Sequence, residues 1–131
     1  MKSPCLICIV DDDEFVRESL SSFLKSAGFQ QAAFASGQEL LTSTALQRAD
    51  CLILDVRMPG MSGPEVLQRV IALGRRIPAI FVTGEADGKL RARIIDEYGA
   101  PVLAKPLSDE ALSDAIHAAL TNSHHSQANF P

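Results

Sequence analysis

The residues best suited to phosphoryl or metal chemistry in this chain all stand where an apolar run stops. The run at 5–10 ends in Asp11, Asp12 and Asp13, and the run at 51–54 ends in Asp55. The run at 79–82 ends in Thr83, and the run at 102–104 ends in Lys105-Pro106. If these runs are strands of one sheet, several carboxylates, a hydroxyl and an ammonium share one edge. Carboxylates held together repel and raise one another's pKa unless a cation neutralises them. A hard, oxygen-seeking divalent ion is the economical solution, and Mg²⁺ fits best because it takes one or two carboxylates plus water and phosphate oxygens. The formal charges of Asp11, Asp12, Asp55, Lys105 and Mg²⁺ sum to zero. Such a site could accept a phosphoryl group, whose oxygens would meet the metal, Lys105 and the Thr83 hydroxyl.

The elements that must hold these residues are legible as alternating patterns. The four runs are nearly continuous in apolar residues, as strands buried on both faces of a parallel sheet are, and a weaker run at 32–35 supplies a fifth. Helix-period segments lie between them. Phe15, Val16, Leu20, Phe23, Leu24 and Ala27 form a stripe that stops at Gly28. Ser36 with Glu39, and Ser62 with Glu65, read as capping boxes before Leu40, Leu41 and Leu46 and before Val66, Leu67, Val70 and Ile71. Leu90, Ile94 and Ile95 mark a charge-rich fourth helix. Ser108 starts a fifth, with Asp109 and Glu110 in its first turn and a stripe of Leu112, Ala115, Ile116, Ala119 and Leu120. Strand–helix alternation implies right-handed crossovers and a three-layer α/β sandwich, in which ligands bind beyond the carboxyl ends of the strands. The expectation is one domain over 1–121 and a flexible polar C-terminal tail over 122–131.

Composition narrows the class. At 131 residues, 47% apolar and 21% charged, the chain is an ordinary globular domain. A net charge of −4 argues against a direct nucleic-acid footprint. No apolar run reaches the roughly 20 residues of a membrane span, and residues 1–4 show no secretory pattern, so a cytoplasmic location is expected. Cys5-x-x-Cys8 lies on a strand, where residues three apart face opposite ways, so both read as packing residues, as does Cys51. Asp13 and Glu14 read as an acidic helix start. Gly60 and Gly63 read as turn glycines. His124-His125, Arg75-Arg76 and the charges of the fourth helix read as solvated surface.

Taken together, Ile9-Val10-Asp11-Asp12, Leu54-Asp55-Val56-Arg57-Met58-Pro59-Gly60, Val82-Thr83-Gly84 and Lys105-Pro106 resemble the CheY-like receiver domains of two-component response regulators. Asp13-Glu14, Val16-Arg17-Glu18-Ser19-Leu20 and Arg57-Met58-Pro59-Gly60-Met61-Ser62-Gly63 are most similar to the branch often joined to LuxR-type DNA-binding domains. The resemblance covers about residues 5–120. It implies a doubly wound, flavodoxin-like sheet of five parallel strands in the order 2-1-3-4-5. It implies Asp55 as phosphoacceptor, Thr83 and Lys105 as phosphoryl-binding residues, and a cis Lys105-Pro106 bond. It implies Mg²⁺ on Asp12, Asp55 and the main-chain carbonyl of Arg57, with Asp11 acting through water. The implied partners are a sensor histidine kinase or phosphotransfer protein and a downstream protein target, with room for a phosphorylation-dependent homodimer. The implied role is a conformational switch with only self-phosphorylation and self-dephosphorylation chemistry, and the chain reads as a stand-alone regulator.

Two departures stand out. Val102 occupies the position where the family often carries an aromatic ring, and Tyr98-Gly99-Ala100-Pro101 shifts the usual Gly-Ala turn by one residue. Arg57 and Glu85, two residues after Asp55 and Thr83, carry opposite charges and are expected to pair across the mouth of the site and slow loss of phosphate. Two rivals remain at this level: a haloacid-dehalogenase-type phosphohydrolase, disfavoured by Arg57 where a second Asp is wanted, and a degenerate receiver that only binds partners.

Overall fold

The computed structural model describes residues 4–84 and 88–129, with backbone alone over 122–129. The order is β1 (Leu6–Val10), α1 (Glu14–Ser26), β2 (Gln30–Phe34), α2 (Gly37–Leu41), a 3₁₀ turn (Thr44–Arg48), β3 (Cys51–Asp55), α3 (Gly63–Ala72), β4 (Ala79–Thr83), α4 (Gly88–Tyr98), β5 (Val102–Ala104) and α5 (Asp109–Asn129). The strands form one parallel sheet in the order β2-β1-β3-β4-β5. Strand order reverses between β1 and β3, so the crevice above their carboxyl ends is the topological switch point.

Each of β1, β3 and β4 is buried along its whole length, because both sheet faces are covered. Alternate side chains feed two cores. Cys8, Val10, Leu52, Leu54 and Phe81 face α2 and α3 through Leu40, Val66, Leu67 and Val70. Ile7, Ile9, Ile53, Ile80 and Val82 face α1 and α5 through Leu20, Leu24, Leu112 and Ile116. The edge strand β2 is only partly covered, which is why its sequence signal is weak. Cys8 and Cys51 sit in opposite layers as buried free thiols. Burial pushes their pKa values up to about 11 and about 12, so they are inert packing residues.

Several expectations are corrected. Phe15 does not join the core stripe of α1; it is 81% exposed, while Leu20 and Leu24 carry the packing. Phe15 stands in the first turn, next to the acidic Glu14 that follows the cap residue Asp13. Ile71 and Ile95 are likewise half-exposed at the outer edges of their helices. The second helix breaks in two: the Thr42 hydroxyl donates to the Gln38 carbonyl (2.9 Å) and Ser43 accepts from Ala45 N–H to start the 3₁₀ turn. The backbone of α5 is helical through Asn129, so the polar residues from 122 to 129 continue the helix. No glycine or proline interrupts 109–129, so polarity alone does not end the helix.

Candidate functional site

Strand register assembles the site. Val10 pairs with Leu54, Asp55 with Val82, and Thr83 with Ala104, so Asp11, Asp55, Thr83 and Lys105 emerge side by side at the carboxyl edge. Asp11 is 1% exposed, Asp55 5% and Thr83 6%, whereas Asp12 is exposed.

Asp11 is fixed from three sides. Its Oδ1 accepts the Asp13 N–H at 2.9 Å, and its carbonyl accepts from Arg17 Nη1 at 2.7 Å. Its Oδ2 lies 3.0 Å from Lys105 Nζ, a buried ion pair that leaves this oxygen without a well-aimed hydrogen bond. Asp13 does what an acidic helix start should: its carboxylate accepts the Phe15 N–H at 2.9 Å and caps α1. Nothing in the spacing of Arg17 announces that it braces the end of β1 from the first turns of α1.

Lys105 also lies 3.5 Å from Asp55 Oδ2, so one ammonium bridges both buried carboxylates. It is presented by β5, whose register is held by Lys105 N–H donating to the Thr83 carbonyl at 2.8 Å. The Lys105-Pro106 bond is cis, as the resemblance implied. Burial pulls the Lys105 pKa down, but contact with Asp11 and the charges of Asp55 and Asp11 outweigh it, and the ammonium sits above its ordinary 10.5. Asp55 moves from its ordinary 3.8 to about 6. Desolvation is the main cause and the Asp11 charge adds to it; Lys105 and the Arg57 backbone N–H oppose both.

The carboxylates of Asp11, Asp12 and Asp55 each offer an oxygen, and these lie within 4.8 Å of one another. An all-oxygen donor set, one buried carboxylate oxygen short of a hydrogen bond, and one ammonium against three carboxylates suit a hard divalent cation. The residues present therefore fit Mg²⁺. Arg57 directly follows Val56 on the exposed loop after β3. Glu85, its expected partner, lies outside the described residues, as does that reading of the pair.

The two glycines after Asp55 differ. Gly60 has φ +83°, the turn geometry expected of it. Gly63 has no left-handed backbone; what it lacks room for is a side chain, because a Cβ there would fall 2.4 Å from the Asp55 carbonyl oxygen. Its role is close approach, not turning. At the other departure from the resemblance, α4 ends at Tyr98 and Gly99 takes φ +65°. The Tyr98 ring lies 6.0 Å from that of Phe81, and its hydroxyl accepts from Gln68 Nε2 at 2.7 Å.

Comparison with known proteins decides what this arrangement belongs to. The family model for the response regulator receiver domain matches residues 7–117. The chain belongs to the response regulator receiver family. Aspartate phosphorylation within two-component systems is the general property of that family. This receiver is 38% identical over 114 residues to nodulation protein W of Bradyrhizobium diazoefficiens, covering 87% of this chain and 50% of that protein. It superposes on the response regulator StyR with a TM-score of 0.82 at 37% identity, covering 95% of this chain and 64% of the other. On the chemotaxis protein CheY4 of Vibrio cholerae the TM-score is 0.79 at 28% identity, with 89% and 99% covered. The receiver spans about half the length of the curated relatives it matches. Among its described residues, no helix is long and apolar enough to cross a membrane.

Proposed function

We propose that Asp55 is the phosphoacceptor of this receiver and that a histidine kinase or phosphotransfer protein is the donor. The observation that carries the reading is Lys105 Nζ, 3.0 Å from Asp11 and 3.5 Å from Asp55 at the switch point of the sheet. An Asp55 oxygen attacks the phosphorus of a phosphohistidine; the O–P bond forms as the N–P bond breaks, and the imidazole leaves and takes up a proton. Lys105 and the Thr83 hydroxyl bind the transferred oxygens, and burial keeps bulk water off the acyl phosphate. Asp12, Asp55 and the Arg57 carbonyl would hold Mg²⁺, with Asp11 as an outer partner, and the bound ion would stabilise the charge on the phosphoryl oxygens.

The product is a switch rather than a turnover enzyme. Phosphate biases a two-state equilibrium because it contacts one state better than the other. The unit that switches is residues 1–121, in the cytoplasm, and output passes by protein contact to a downstream target or a second copy of the chain. Incubation with acetyl phosphate and Mg²⁺ should give one phosphoryl adduct, on Asp55, that is lost with EDTA or in Asp55→Asn. Full labelling of Asp55→Asn would defeat the assignment. Absence of both labelling and Mg²⁺ binding in the wild type would favour a degenerate receiver, and steady turnover of a phosphomonoester a hydrolase.

A further inference from the structure

We propose that Gly63, at the start of α3, is a positioning residue for Asp55, its missing Cβ letting α3 seat directly against the Asp55 carbonyl and so setting the Asp55–Arg57 backbone. The proposal rests on the reading of Asp55 as phosphoacceptor.

The contact is with backbone, and it is close. A Cβ on Gly63 would lie 2.4 Å from the Asp55 oxygen and 3.1 Å from the Asp55 carbonyl carbon. Non-bonded carbon and oxygen atoms do not approach so closely, and a peptide carbonyl has no rotamer by which to withdraw. The third neighbour, Phe81 Cδ1 at 3.3 Å, belongs to a fully buried ring. Neither side yields easily. The Ser62–Glu65 capping box orders the first turn of α3, and Val66, Leu67 and Val70 behind it are buried in the core between α3 and the sheet, so the helix shifts only by loosening that packing. On the other side, Val56 N–H donates to the Val82 carbonyl at 2.9 Å, and the Val56 carbonyl accepts the Gly63 N–H at 3.1 Å. The strand end is thus stitched to β4 by one group and to Gly63 by the next.

A side chain at 63 is therefore accommodated by rotating the Asp55–Val56 peptide or tilting α3. Either change turns the Asp55 carboxylate and the Arg57 carbonyl, which must converge on one ion. Placement errors on the order of 1 Å at such a centre lower rates by about 100-fold.

Gly37 provides the matched control. A Cβ there would lie 2.5 Å from Val66 Cγ2 and 3.0 Å from Met61 Sδ, an insult of similar size borne by side chains. Full-length wild type, Gly63→Ala and Gly37→Ala are compared for melting temperature, for Mg²⁺ affinity by calorimetry, and for acetyl phosphate labelling at saturating Mg²⁺. Expected are losses of at least about ten-fold in affinity and in labelling rate for Gly63→Ala, with Gly37→Ala within about two-fold of wild type. If Gly63→Ala is unfolded in buffer, all three proteins are measured in trimethylamine N-oxide, which favours the compact state. Wild-type-like affinity and labelling in folded Gly63→Ala would overturn the proposal, as would equal losses in the two variants. So would a Gly63→Ala chain that stays unfolded in the osmolyte, because the strain would then be global. A wild type that neither binds Mg²⁺ nor labels would instead refute the phosphoacceptor reading beneath it.

Discussion

Asp55 carries an electrostatic penalty from its burial and from the neighbouring Asp11 charge. Its folded pKa of about 6 lies above its ordinary 3.8, so between these values the native state binds more protons than the unfolded state. Stability contributed by this group is greatest below pH 3.8, falls as pH rises, and reaches its full deficit above about pH 6. The difference between 3.8 and about 6 corresponds to at most about 3 kcal/mol in metal-free protein. Asp55→Asn removes the charge while keeping the shape. In EDTA at pH 7.5 it should therefore be more stable than wild type by about 1–3 kcal/mol in urea titration, and the gap should close toward pH 4. A gap that persists unchanged at pH 4 would assign the effect to packing instead of charge.

At the scale of elements, α1 separates two jobs that its apolar pattern merges. Leu24 is fully buried in the layer beneath the sheet, while Phe15 stands 81% exposed beside the cap. Leu24→Ala should destabilise by about 2–5 kcal/mol through cavity formation. Phe15→Ser should move stability by less than about 0.5 kcal/mol, because little apolar surface changes environment. The exposed ring does not stand apart from the site: Phe15, Val16 and Phe23 line a groove of about 510 Å³ together with Lys105, Pro106 and Leu107. A large thermal shift in Phe15→Ser would mean that α1 packs further over the sheet than its exposure shows.

For the whole molecule, four strands and the loops after them close on one site, so binding of a metal there would also be global stabilisation. A ligand that binds only the folded state adds about 1.4 kcal/mol at ten times its dissociation constant. That raises the melting temperature of a domain this size by several degrees. Mg²⁺ should produce such a rise in wild type at pH 7.5. Asp12→Ala should flatten the titration yet keep the fold, since the exposed Asp12 carboxylate is one of three mutually repelling charges. Differential scanning calorimetry with and without Mg²⁺ checks this, and an undiminished rise in the variant would place the ion elsewhere.

Legible in the residue order alone are the alternation of strands and helices and the polar residues that close β1, β3, β4 and β5. Both follow from local periodicity: runs buried on two faces are continuous in apolar residues, and a strand must turn polar where it leaves the core. That was enough to name Asp11, Asp12, Asp55, Thr83 and Lys105. Tertiary structure decided what depends on neighbours distant in the chain. Phe15 fits its helical stripe, but among the described residues it stands 81% exposed. Arg17 reaches the Asp11 carbonyl because α1 leans over the end of β1. The polar stretch after Leu120 stays helical because local polarity sets where a helix is solvated, not where it ends. Gly63 reads in sequence as one more turn glycine. Only the seating of α3 against β3, with 2.4 Å between a would-be Cβ and the Asp55 oxygen, shows that what this position requires is smallness.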